Sequence, residues 1–267
     1  MTIHPVLGML LVGASFATLI VGLRALRDTR GADPELLRKL LHIGMGVVSL
    51  SLPWLFHTPR PVLFLAGAFA TGLLAGRFSP CWRRVAEGIL CGIARPSAGD
   101  LCFPAAVALV FVLSAGRTSH FCASILTLAF ADAAAALVGT RHGAHRFGRP
   151  GRVKSLEGSA AFFLVAFPCA YVPLLLWPEG GWSWTLLLSL NLAVLLTLVE
   201  ALSGNGLDNL TVPLAALLLL RTLSRGDVPL LALCWTLAGA LVLFLACRSM
   251  RGVSVTPTTS EAVDETV

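Results

Sequence analysis

Three acids and one basic loop hold the chemistry of this sequence. The acids are Asp132, Glu200 and Asp208, the last followed by Asn209, and the loop ends in Lys154-Ser155-Leu156-Glu157-Gly158. Asp132 stands in an apolar stretch. An ionisable side chain inside a membrane helix costs roughly 2.5–3.5 kcal/mol on insertion scales, so it persists where it pairs, binds an ion or lines a wet cavity. Carboxylates and an amide hold a hard divalent cation through oxygen, while lysine and arginine take up charge on phosphates. Acids ringed by Lys39, Arg152 and Lys154 therefore suit a Mg²⁺–polyphosphate site.

The elements that must position these groups are membrane helices. Of 267 residues, 56% are apolar and only 13% charged, against about 25% charged in soluble domains, and the mean hydropathy is +0.83. The apolar residues come in blocks near the ~20 that a helix needs to cross a bilayer, without the alternation of a β-barrel. The sequence thus predicts an all-α, polytopic transmembrane bundle. About nine spans fit, near residues 5–23, 43–57, 61–76, 101–116, 119–140, 157–177, 183–202, 207–222 and 228–247. Residues 1–251 read as one membrane domain and 252–267 as a disordered cytosolic tail. The segment 81–100 is amphipathic enough to lie at the interface. The N-terminus lacks a basic leader and reads as a retained first span.

Orientation follows from the cations. With the N-terminus outside, sixteen of the 20 Lys and Arg residues fall inside, leaving only Arg60, Arg117, Arg221 and Arg225 outside. That partition satisfies the positive-inside rule and puts the C-terminus in the cytosol. It also accounts for the net charge of +6 without a nucleic-acid partner. The seven cysteines include no C-x-x-C pair, so neither zinc nor disulfides are expected.

On this topology Asp132, Glu200, Asp208 and Asn209 share the cytosolic side with Asp100, Lys39, His42, Lys154 and Glu157. Each has a plainer reading. Glu157, Asp208 and Asp100 suit the first turn of a helix, Glu200 can pair with an arginine, and Lys154 can be a topology signal among arginines. Ala131 and Ala133–Ala136 give Asp132 a small-residue face that admits close approach of helices or ligand. Asp33-Pro34-Glu35 starts a helix that carries Arg38, Lys39 and His42 to the membrane surface, where His42 can meet a headgroup or a phosphate. Ser203-Gly204-Asn205-Gly206 makes a tight turn between two spans, with Asp208-Asn209 capping the second.

The loop also invites a phosphate-binding P-loop reading, which fails. Val153 stands where the glycine before Lys154-Ser155 is needed, and an all-helical architecture offers no preceding strand. Glycines 139, 143, 148 and 151 still permit close backbone approach to a phosphate, and His142 and His145 read as exposed loop residues.

Taken in order, Arg38-Lys39-Leu40-Leu41-His42, Gly99-Asp100 with Phe103-Pro104, Asp132 with Gly139, Lys154-Ser155-Leu156-Glu157-Gly158-Ser159, and Glu200-Ala201-Leu202-Ser203 with Leu207-Asp208-Asn209 and Pro213 resemble the dolichol kinase, phytol kinase and CTP-dependent diacylglycerol kinase family, distant relatives of the CDP-diacylglycerol synthases. The resemblance covers about residues 36–215. Ala133 and Gly204-Asn205 depart from it where proline is frequent. It implies a membrane lipid kinase that moves the γ-phosphate of CTP, or another nucleoside triphosphate, to the hydroxyl of a lipid alcohol such as diacylglycerol, phytol or a polyprenol, at the cytosolic face. Asp132, Glu200 and Asp208 would share the Mg²⁺ and base roles with Asn209 as a further oxygen ligand. Lys154, Ser155, Arg152, Lys39 and Glu157 would serve the nucleotide, and His42 and Asp100 the lipid or phosphate. The competing readings are a phosphatidate cytidylyltransferase, which would release pyrophosphate, and an ion-coupled transporter, which would turn over no nucleotide.

Overall fold

The computed structural model describes residues 4–78, 99–149, 152–178, 180–204, 206–223 and 235. The chain divides into two units, 1–227 and 228–267. The expected ninth span apart from residue 235, the polar tail and residues 81–98 of the expected interfacial segment lie outside the described residues.

Ten α-helices run through the described part: α1 Pro5–Arg30, α2 Pro34–Leu50, the single turn α3 Leu52–Leu55, α4 Pro59–Phe78, α5 Gly99–Ser114, α6 Thr118–Leu126, α7 Asp132–His142, α8 Leu156–Leu176, α9 Trp182–Leu202 and α10 Asp208–Leu223. A π-helical turn, Thr127–Ala131, joins α6 to α7. Local chemistry sets several ends. Gly31 ends α1 at φ 57°, a left-handed conformation that suits glycine, and its N–H bonds the Arg27 carbonyl at 2.8 Å. The Asp33 carboxylate accepts from the Leu36 N–H at 3.1 Å, with Pro34 at the first helical position. Prolines 104, 168, 173 and 213 lie inside helices, as bundles in lipid tolerate.

Five helical stretches are long and apolar enough to cross a membrane: Pro5–Arg30, Pro34–Leu55, Thr118–His142, Leu156–Leu176 and Trp182–Leu202. The stretches Pro59–Ala75 and Gly99–Ser114 are apolar but shorter. The first eight expected spans thus all appear as helices, and five of them meet the length for crossing. Leu164, Phe64 and Trp182, each about two-thirds exposed, point out of the bundle, where lipid rather than water is the compatible solvent. Thr118–His142 is the central element, 67% buried, and α1 the peripheral one, 17% buried. Phe121, Ile125 and Leu128 of the central stretch pack with Phe103, Val107 and Val110 of α5 and with Leu217 of α10.

The all-α expectation needs one correction. The basic loop is a β-hairpin, β1 Arg146–Arg149 with β2 Arg152–Ser155, paired antiparallel from Arg146 opposite Ser155 to Arg149 opposite Arg152. Phe147 and Val153 favour extended backbone, and Pro150-Gly151 is the two-residue turn signal between them. A strand therefore does lead into Lys154-Ser155, contrary to the sequence expectation. Val153 in place of glycine still separates this loop from a P-loop.

Candidate active site

The hairpin places Lys154. Phe147 lies opposite it in the register, and the hairpin is fastened to the start of α8 by Glu157, whose carboxylate takes the His145 ring Nδ1 at 2.7 Å and the His145 N–H at 3.1 Å. Leu156 N–H extends the pairing to the His145 carbonyl at 3.0 Å. Ser155 caps α8, its hydroxyl accepting from the Gly158 N–H at 3.1 Å. A Cβ at Gly139 would lie 3.0 Å from the Ser155 hydroxyl, and one at Gly158 would lie 2.9 Å from the Ala135 carbonyl. These glycines make room for α7 against α8. Ser155 and Glu157, expected at the nucleotide, are engaged in building the hairpin and its helix.

From this platform Lys154 reaches two acids. Its ammonium is bonded to Glu200 Oε1, at the last turn of α9, and lies 3.2 Å from Asp208 Oδ2, the first residue of α10. The turn between these helices brings both carboxylates to one cation. Burial pulls the Lys154 pKa down, but Glu200 and Asp208, with Asp132 adding to them, outweigh it and raise the pKa above the ordinary lysine value. That Asp132 acts on Lys154 puts all three acids in one electrostatic neighbourhood.

Asp132 itself pairs with Lys39 of α2, Oδ2 to Nζ 2.7 Å, both side chains under a tenth exposed. His42 Nε2 is 3.8 Å from the same oxygen, too far for a hydrogen bond, and bonds the Leu128 carbonyl at 3.0 Å. His42, expected at a headgroup or phosphate, is buried. Lys39 and His42 both approach Oδ2, so Oδ1 is left without a protein hydrogen bond among the described residues. Asn209 donates its side-chain amide to the Gly99 carbonyl at 3.0 Å, which ties the start of α10 to the start of α5. Asp100 opens α5 and is exposed. The side chain of Arg152 lies outside the described residues.

Among the described residues no group of three or more His, Cys, Asp or Glu side chains is gathered as a ready metal cage. Glu200 and Asp208 converge on one lysine and Asp132 on another. One feature does fit a hard cation: Glu200 Oε2 is buried with no hydrogen-bond partner, a state that costs about 1–3 kcal/mol unless a ligand relieves it. Mg²⁺ arriving on a polyphosphate needs only one or two protein carboxylates, and Glu200 with Asp208 supplies two. Sequence reasoning missed the pairing partners, which lie far apart in the chain. It also missed the π-turn, which no periodicity announces.

Apolar helices long enough to span, with one lysine–acid pair between α2 and α7 and a second lysine, on the hairpin, paired to acids of α9 and α10, define an integral membrane protein with a charged site built from helix ends. A phytol kinase from Synechocystis sp. is 33% identical to this chain over 187 residues, which is 69% of this chain and 78% of that protein. No family model matches the chain and no solved structure matches it. At that identity and coverage the chain belongs to the phytol kinase family, a family of lipid kinases.

Proposed function

We propose that this protein is a CTP-dependent lipid kinase that moves the γ-phosphate of CTP, or of another nucleoside triphosphate, to the hydroxyl of a lipid alcohol at the cytosolic face of the membrane. Kinship supports the kinase class. The observation that carries the chemistry is the pairing of buried carboxylates with lysines: Glu200 and Asp208 on Lys154, and Asp132 on Lys39.

Such pairs match the reactants in sign. Glu200, through its unpartnered Oε2, and Asp208 would hold Mg²⁺, with Asn209 beside them. The ion supplies charge neutralisation on the transferring phosphoryl group. Lys154 then exchanges its carboxylate partners for phosphate oxygens and holds the nucleotide by charge-assisted hydrogen bonds. Asp132 keeps Oδ2 on Lys39, which fixes its orientation, and Oδ1 accepts the proton of the lipid hydroxyl as oxygen attacks phosphorus. The alcohol enters sideways from the bilayer, and phytol, diacylglycerol and polyprenols all offer a hydroxyl on an apolar tail.

The test uses the purified chain in detergent with γ-labelled CTP or ATP, Mg²⁺ and a panel of lipid alcohols. Label should pass to a lipid, CDP should be released with CTP as donor, EDTA should stop the reaction, and Asp132→Asn should slow it by roughly 10²–10⁴-fold. Release of pyrophosphate would make the chain a cytidylyltransferase, and no labelled lipid with any donor would overturn the kinase reading.

A further inference from the structure

The stretch that presents Asp132 is not wound evenly. Thr127–Ala131 forms a π-turn between α6 and α7. A π-turn adds one residue without breaking the helix, so everything beyond it is rotated by roughly 100° from where α-helical winding would place it. Asp132 is the first residue beyond.

Three residues of α2 meet this turn from one side. Lys39, His42 and Gly46 are spaced i, i+3 and i+7, a single stripe on a helix. Lys39 holds Asp132 Oδ2 at 2.7 Å. One turn on, His42 Nε2 lies 3.0 Å from the Leu128 carbonyl, inside the π-turn. A carbonyl only accepts, so Nε2 carries the hydrogen. One turn further, Gly46 lies so close to the π-turn that a Cβ there would collide with Ala129 Cβ. Phe103 of α5 closes over the imidazole edge-on, centroids 5.1 Å apart and planes at 70°. The ring is thereby fixed in orientation as well as buried.

We infer that His42 is a positioning residue: its Nε2–H, donated to the Leu128 carbonyl, holds the π-turn that aims Asp132 into the site, and the imidazole touches neither nucleotide nor lipid. The inference rests on the reading of Asp132 as the catalytic acid–base group. Were the turn to relax to α-helical winding, Asp132 would swing by about a quarter of a circle and leave Lys39. A displacement of ~1 Å at a reacting group already costs roughly 10²-fold in rate.

The experiment measures steady-state kinetics for the full chain in detergent with His42→Phe, His42→Gln, Asp132→Asn and the His42→Phe/Asp132→Asn double variant. Phenylalanine keeps the ring volume and removes the donor, and glutamine keeps an N–H donor of similar reach. His42→Phe should lower kcat by about 10²-fold with KM for both substrates unchanged, His42→Gln should recover most of the loss, and the double variant should be no slower than Asp132→Asn alone. A raised nucleotide KM at unchanged kcat would make His42 a phosphate contact and overturn the inference, as would failure of glutamine to rescue or additive losses in the double variant. Ring-nitrogen ¹⁵N NMR gives a readout independent of turnover, in which the wild-type His42 Nε2 must carry a hydrogen. An unprotonated Nε2 would sink the positioning role and leave the kinase reading standing, whereas a wild type that labels no lipid sinks the kinase reading and leaves the NMR result to decide the contact.

Discussion

Removing the Lys39 ammonium tests the arrangement of charge most directly. Lys39→Met retains an unbranched apolar stem and leaves the Asp132 carboxylate, whose side chain is 9% exposed, without its partner at 2.7 Å. His42 cannot take over, because its Nε2 hydrogen is committed to Leu128. Taking one member from a buried ion pair costs about 3–5 kcal/mol, since the remaining charge is uncompensated. For a chain of this size that lowers the thermal midpoint by roughly 6–20 °C, at about 2–4 °C per kcal/mol. Asp132→Asn alone strands the ammonium and should cost a similar amount. In the double variant no charge remains, and most of the loss should return. The assay is a double-mutant cycle on reversible unfolding in detergent micelles, with an expected coupling of at least ~2 kcal/mol between positions 39 and 132. Independent effects, coupled by less than about 0.5 kcal/mol, would mean that the pair does not hold the site together and that the proposed orientation of Asp132 is wrong.

Four further outcomes are expected. Lys154→Met should raise the nucleotide KM and reduce kcat/KM by roughly 10²-fold or more. In the wild type the Lys154 pKa is raised above the unfolded lysine value of 10.5, so the stability its charge contributes is fully present below that pH and is lost only as pH rises through the folded value; an alkaline loss of stability that begins well below pH 10.5 and disappears in Lys154→Met would contradict this. Gly46→Ala should destabilise by about 1–3 kcal/mol through overpacking against Ala129, and Ala129→Gly in the same chain should restore the thermal midpoint. Glu157→Gln weakens the fastening between α8 and the hairpin, so the His145 amide should exchange hydrogen faster while amides of the α6 core are unchanged; equal exchange in both proteins would show that the contact does not order the hairpin.

Much of the helical scaffold was legible because lipid imposes a simple rule on sequence. The stretches expected near 157–177 and 183–202 fold as Leu156–Leu176 and Trp182–Leu202, since a run of apolar residues of that length has few other ways to satisfy its backbone in a bilayer. Asp132 stood out for the complementary reason, that a charge does not persist in such a run without a partner, and Glu200 and Asp208 because they stand on either limb of a tight turn between two helices. The hairpin was passed over although Pro150-Gly151 announced a turn, because four-residue strands carry too little pattern to compete with a glycine-rich loop reading. Ser155 and Gly139, read from the sequence as phosphate-binding features, also build the junction of α7 with α8.

What the sequence determined by itself is which residues are chemically conspicuous and which segments are helices, for both follow from composition within a short window. What only the tertiary structure decided is who meets whom: Lys39 with Asp132 across 93 residues, Lys154 with Glu200 across 46. It also decided the facing of Asp132, which depends on one extra residue wound into a π-turn and on the imidazole that holds it there. Those outcomes depend on packing between distant helices, where a rotation of about 100° is a single-residue change in winding and leaves no trace in the order of the amino acids.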